Sequence, residues 1–124
     1  MGEFDRMGGE EVLRGLVEQF IHRASRDTII GFFFAGKDLD LIALREYQLA
    51  AERLGGPVVY QGRPLDAVHR PLGINKGHLR RRLVILESVL REHGVDEAII
   101  EAWLSEERAL EPLVTTLRDC VEDG

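Results

Sequence analysis

Apolar residues recur along most of the chain with a period near that of an α-helix, and their phase predicts where each helix runs. Leu13, Leu16, Val17, Phe20 and Ala24 fall on one face of a helix entered after Gly8-Gly9, with Glu10 and Glu11 suited to its positive end. Asp38 or Asp40 caps the next helix, which runs to about Arg53 with Leu41, Leu44, Ala51 and Leu54 as inward candidates. Asn75 caps a long helix whose stripe is Leu79, Leu83, Leu86 and Leu90, ending at Gly94. Asp96 caps a last helix carrying Ile99, Ile100, Trp103 and Leu104, then Leu110, Leu113, Val114 and Leu117, with Pro112 kinking it or ending its first half.

The segments between these helices are short. Phe32-Phe33-Phe34 cannot share one helical face, which predicts a corner whose aromatics reach in two directions. Gly55-Gly56-Pro57 stops the helix before it, and Val58-Val59-Tyr60 has no partner strand, so it reads as a loop. Pro64 starts a helical turn or two ending at His69, since Pro71 and Gly73 follow at once. The pattern predicts an all-α protein.

Composition narrows the function more than the fold. The 124 residues, 44% hydrophobic and 31% charged, suit one domain over 1–124, with its core at about 4–117. A net charge of −6 argues against nucleic-acid or anionic-membrane binding, and Arg80-Arg81-Arg82 is too short a run for a phosphate stripe. The single cysteine, Cys120, rules out a disulfide framework and reads as a tail residue without a role. No apolar run reaches the roughly 20 residues of a membrane span, and no basic-then-apolar leader opens the sequence, so the cytoplasm is the expected compartment.

His69 is the residue with chemistry to offer. Neutral imidazole is a common metal ligand and one of the standard holders of haem iron, although a lone histidine is more often capped or solvated. Neither Cys-x-x-Cys-His nor His-Glu-x-x-His occurs. Four collinear motifs supply context: Phe4-Asp-Arg-Met-Gly-Gly9; Phe33-Phe34; Leu54-Gly-Gly-Pro57 with Tyr60 and Gly62; and Ala67-Val68-His69 followed by Gly73-Ile74 and His78. From about Phe4 to Leu117 the chain resembles the truncated haemoglobins, group I in particular.

The resemblance implies a two-over-two helical sandwich around non-covalent haem b, with His69 as the proximal iron ligand. It implies that Phe33 and Phe34 clamp the ring, and that Tyr60, Leu65, Val68, Ile74, Leu79 and Leu86 belong to the haem environment. Lys37 and Arg45 are candidate propionate partners, His78 a candidate for the haem edge, and Trp103 stands where the family has a small aliphatic lining a ligand passage.

The sequence departs from the family on the distal side. Ile21 takes the place of the family's tyrosine, while Ile42 and Glu46 take the places of its polar residues on the next helix. Arg82 aligns with a position facing the same cavity, so a Glu46–Arg82 pair would satisfy both charges and set a guanidinium near a ligand. Adjacent His22 points about 100° away from Ile21 and is not expected to be distal.

The function implied is reversible binding of a diatomic gas (oxygen, nitric oxide or carbon monoxide), or oxygen transport. Nitric-oxide dioxygenase and peroxidase-like activities, with a separate reductase, are compatible with it. The expected assembly is a monomer or weak dimer. The rivals are a haem-free globin-fold signalling or interaction module, for which Glu46 speaks, and a helical adaptor unrelated to globins.

Overall fold

A computed structural model describes residues 2–115 of the chain; Leu117 and Cys120 lie outside the described residues. Its α-helices are α1 (Glu3–Arg6), α2 (Gly9–Arg26), α3 (Leu39–Arg53), α4 (Leu65–His69), α5 (Lys76–Glu92), α6 (Glu97–Ala109) and α7 (Glu111–Val114). Short 3₁₀ turns at Gly31–Phe34 and Arg70–Leu72 complete it, and no strand occurs among the described residues.

The expected caps form. Asp38 accepts from the Leu41 backbone N–H, and Asp96 accepts from that of Ala98. Asn75 and His78 form a reciprocal capping box, each side chain accepting the other's backbone N–H. The expected kink near Pro112 is a break, because α6 ends at Ala109 and a separate short α7 follows. The short α1 has no counterpart in the apolar pattern; four residues are too few to show a period.

α2 packs against both α3 and α5, α5 packs against α6, and α4 packs against α7. The stripes of α2 and α5 are buried as their spacing predicts, including Leu79, Leu83, Leu86 and Leu90. Each such leucine contributes about 1.5–3 kcal/mol relative to exposure.

The expected inward face of α3 is met at Ala51 and Leu54, and in part at Leu44, which packs on the core, whereas Leu41 is exposed; Ala43, Tyr47 and Ala50 complete the face. Ile42, Glu46, Leu49 and Arg53 form a second stripe one residue ahead and line a cavity. Leu113 is exposed as well, whereas Val114 is buried.

The Gly55-Gly56 break has two separate causes. Gly55 has φ of +84°, a left-handed conformation that favours glycine. Gly56 lies against the Phe4 ring, where a Cβ would come within 2.6 Å of Cδ1. This contact, with the bond from the Phe4 N–H to the Leu54 carbonyl at 3.0 Å, ties the N-terminal segment to the end of α3.

Asp27 ties a second corner. Its Oδ2 accepts from the Ile29 and Ile30 backbones at 3.0 and 3.1 Å, and its Oδ1 accepts from Arg81 Nε and Nη2 at 3.0 and 2.7 Å. The Arg81 hydrogen bonds, helped by the two backbone donors, outweigh desolvation and lower the Asp27 pKa to about 2. The end of α2, the phenylalanine corner and α5 are thereby joined at one carboxylate.

Candidate functional site

A cavity of about 250 Å³ opens among the phenylalanine corner, α3, α4 and α5, with further wall from α6 and α7. Eleven residues expected from the sequence line it together: Phe33, Phe34, Lys37, Ile42, Glu46, Leu65, Val68, His69, Ile74, Leu79 and Arg82. His78 lines it too, with its ring edge-on to Phe33 at 4.9 Å between centroids. The wall is apolar apart from a few polar and charged groups, the usual make-up of a site for a largely apolar ligand.

His69 ends the short helix α4. Its Nδ1 lies 2.8 Å from the Leu65 carbonyl oxygen, one helical turn back. A carbonyl only accepts, so Nδ1 carries the hydrogen and donates. In the neutral ring Nε2 then keeps its lone pair, the arrangement of a metal-ligating imidazole oriented by a second partner. Among the described residues no group of three or more His, Cys, Asp or Glu is placed to hold a metal ion. One imidazole can serve a macrocycle-bound iron, which brings its remaining ligands with it.

The charged part of the wall is a cluster rather than a pair. Arg82 Nη2 donates to Glu46 Oε2 at 3.0 Å, while Nε and Nη2 donate to the two oxygens of Glu107 at 3.2 and 3.1 Å. Arg53 Nη1 stands 3.6 Å from Glu107 Oε1, and the Arg82 guanidinium carbon lies 4.9 Å from the Phe20 ring centroid. Burial pushes the Glu107 carboxyl up, but the charge and hydrogen bonds of Arg82, with Arg53, outweigh it and hold it below its usual range. Desolvation likewise lowers the Arg82 pKa, yet the two carboxylates leave it raised.

Five expected site residues are placed outside this wall. Ile21 is 2% exposed and belongs to the core between helices. Leu86 is buried with the α5 stripe, and Trp103 is buried beside a separate small cavity near Ala50 and Leu54. Tyr60 donates from its hydroxyl to the Arg63 carbonyl at 2.6 Å within the loop, and Arg45 donates to Gln48 at 3.1 Å. His22 is exposed.

Glu107, Arg53, Leu49, Leu72, Leu110 and Val114 line the cavity without having been picked out as site residues from the sequence. For Glu107 a signal existed. It continues the stripe Ile99, Ile100, Trp103, Leu104 at helical spacing, so a carboxylate falls on a buried face. Its side chain is 7% exposed, as is that of Asp27 in the corner knot.

A family model described as bacterial-like globin matches residues 3–116. The chain is 31% identical over 113 residues to the group 1 truncated hemoglobin of Mycolicibacterium paratuberculosis, covering 91% of this chain and 83% of that protein. The Fe(III) form of the truncated hemoglobin from Tetrahymena pyriformis matches with a TM-score of 0.86 and 21% identity, over 94% of this chain and 100% of that one. The group II truncated hemoglobin from Bacillus anthracis matches with a TM-score of 0.86 and 25% identity, over 100% and 98% of the two chains. The helix pairs described above are therefore the two-over-two globin sandwich.

Proposed function

Since the chain belongs to the bacterial-like globin family, whose members bind haem and gaseous ligands, we propose that its cavity holds one non-covalent haem b with His69 as the protein's iron ligand. The physiological ligand in this proposal is a diatomic gas. The observation that carries it is the bond from His69 Nδ1 to the Leu65 carbonyl at 2.8 Å, in a cavity otherwise walled by Phe33, Phe34, Leu65, Val68, Ile74 and Leu79. These side chains suit a flat apolar ring. Lys37, exposed at the end of the phenylalanine corner, suits its carboxylates.

When bound, the haem supplies an iron with an open coordination position. The chain supplies the rest: it fixes the imidazole tautomer, walls the ring and offers donors to the ligand. Neither of the chain's two tyrosines lines the cavity, so the phenol donor of the family is replaced by the Arg82 guanidinium. Nitric-oxide dioxygenase or peroxidase-like chemistry would use the same residues and a separate reductase, in the cytoplasm. The cluster of Glu46, Arg53, Arg82 and Glu107 is the one feature that favours the haem-free alternative, because charges at a ring face are costly unless paired.

The test is visible absorption after titration with haemin. One haem per chain and a histidine-ligated spectrum are expected, with His69→Gly losing most haem retention and added imidazole restoring the spectrum in part. A His69→Gly protein that keeps the wild-type Soret band and affinity would refute the ligand assignment. No uptake by the wild type would favour the haem-free module.

A further inference from the structure

Arg82 is held asymmetrically. Its Nε and Nη2 grip Glu107 side-on, and Nη2 alone reaches Glu46. Nη1 makes no hydrogen bond among the described residues. The end of a guanidinium carries two parallel N–H groups in a rigid fork, and here Glu46 uses one of them.

The two carboxylates also differ in how firmly they are held. The Glu107 side chain is 7% exposed and has Arg53 as a second cationic neighbour. The Glu46 side chain is 21% exposed, and its ion-pair partner is Arg82. With Glu46 ionised, Arg53, Arg82, Glu46 and Glu107 balance. Without its charge, Arg53 and Arg82 share Glu107 as the one carboxylate on the cavity wall, with Glu106 3.8 Å from Arg53 on the exposed side, and the cavity becomes more positive beside an apolar wall.

Resting on the haem proposal above, we propose that the cavity selects small inorganic monoanions through the outward edge of Arg82. Glu46 competes for that edge and holds anion affinity down. Arg82 is thus a specificity-determining residue anchored from behind by Glu107, and Glu46 is its built-in competitor. A neutral ligand has no need of the guanidinium charge and does not contest it with Glu46.

Optical titration of the ferric, haem-loaded protein with azide, against imidazole as a neutral ligand at fixed ionic strength, tests the proposal. Glu46→Gln keeps an acceptor for Arg82 and removes the charge, so azide should bind roughly tenfold tighter or more, with imidazole affinity changing less than about twofold. Arg82→Met should weaken azide roughly tenfold or more. Arg82→Lys keeps the charge and protects folding, but a single ammonium cannot hold Glu107 and reach outward together, so azide affinity should fall here as well. Parallel changes in azide and imidazole, or unchanged azide affinity in Glu46→Gln and Arg82→Lys, overturn the proposal. Absence of a histidine-ligated haem spectrum in the wild type instead overturns the haem assignment beneath it, and the two failures are told apart before any anion is added.

Discussion

Arg82→Leu is expected to be the most damaging single change in the charged cluster. It removes both hydrogen bonds that Arg82 donates to Glu107, at 3.2 and 3.1 Å, and leaves that carboxylate with Arg53 at 3.6 Å and the Trp103 side chain. Breaking a buried pair from one side costs about 3–5 kcal/mol, because the remaining charge stays out of water. Glu46→Leu removes one hydrogen bond from a carboxylate that is 21% exposed, while Arg82 keeps its grip on Glu107. That change lies between an exposed pair at about 0–1 kcal/mol and a hydrogen bond to a charged group at about 1.5–3, so roughly 1 kcal/mol is expected. If Arg82 answered to Glu46 alone, as the sequence suggests, the double variant with both residues changed to Leu would regain most of the loss. The three-way geometry predicts that it does not, since Glu107 still lacks its main partner, and that recovery needs Glu107→Leu as well. Urea unfolding of each variant at equal haem loading, with slopes compared, closes the cycle. Recovery of more than half the loss in the double variant, or an Arg82→Leu cost no larger than that of Glu46→Leu, would refute the reasoning.

Two further substitutions probe other parts of the molecule. Ile21→Tyr, which would restore the family's residue, should overpack a site that is 2% exposed and lower stability by about 1–3 kcal/mol in thermal melts; a fully stable variant whose oxygen off-rate slows tenfold would show that the side chain does reach the cavity. Asp27→Asn tests the corner knot. Its folded pKa is depressed to about 2, so the wild-type carboxylate contributes fully above an ordinary value of about 4, and that contribution is lost as pH falls towards 2. The Asn variant should be less stable at neutral pH, with the difference shrinking across that window; a difference that stays constant from pH 6 to 2 would count against the knot.

The helix frame was legible because its signals are local. Asp38, Asn75 and Asp96 each sit beside the backbone N–H groups they cap, and the leucines of α5 announce their face by spacing alone. α3 was legible only in part, at Ala51 and Leu54. Its core face is made largely of alanines, which give a weak apolar signal, while the bulkier Ile42 and Leu49 stand on the cavity stripe. The placing of Ile21 and Leu86 in the core rather than on the cavity wall depends on helix rotation, and adjacent buried positions on one helix cannot be told apart by period. Glu46 and Arg82 were legible as a pair through their alignment. Glu107 showed in the sequence only that it falls on a buried face; its partner is set by the packing of α6 on α5, which no local spacing announces.

The imidazole is carried by one of the least self-sufficient elements of the molecule. α4 has five residues, none of them fully buried, and it packs chiefly on the four-residue α7. Helices this short do not hold together in water on propensity, so the order of α4 depends on its surroundings. In the proposed function, whatever fills the cavity would then also hold this segment in place. The observed cofactor affinity would be the intrinsic one scaled by the fraction of molecules in which α4 is formed. A change in α4 or α7 remote from the ring could thus loosen haem without touching a single haem contact, and haem, by binding only the ordered form, would raise the stability of the whole chain with the logarithm of its own supply.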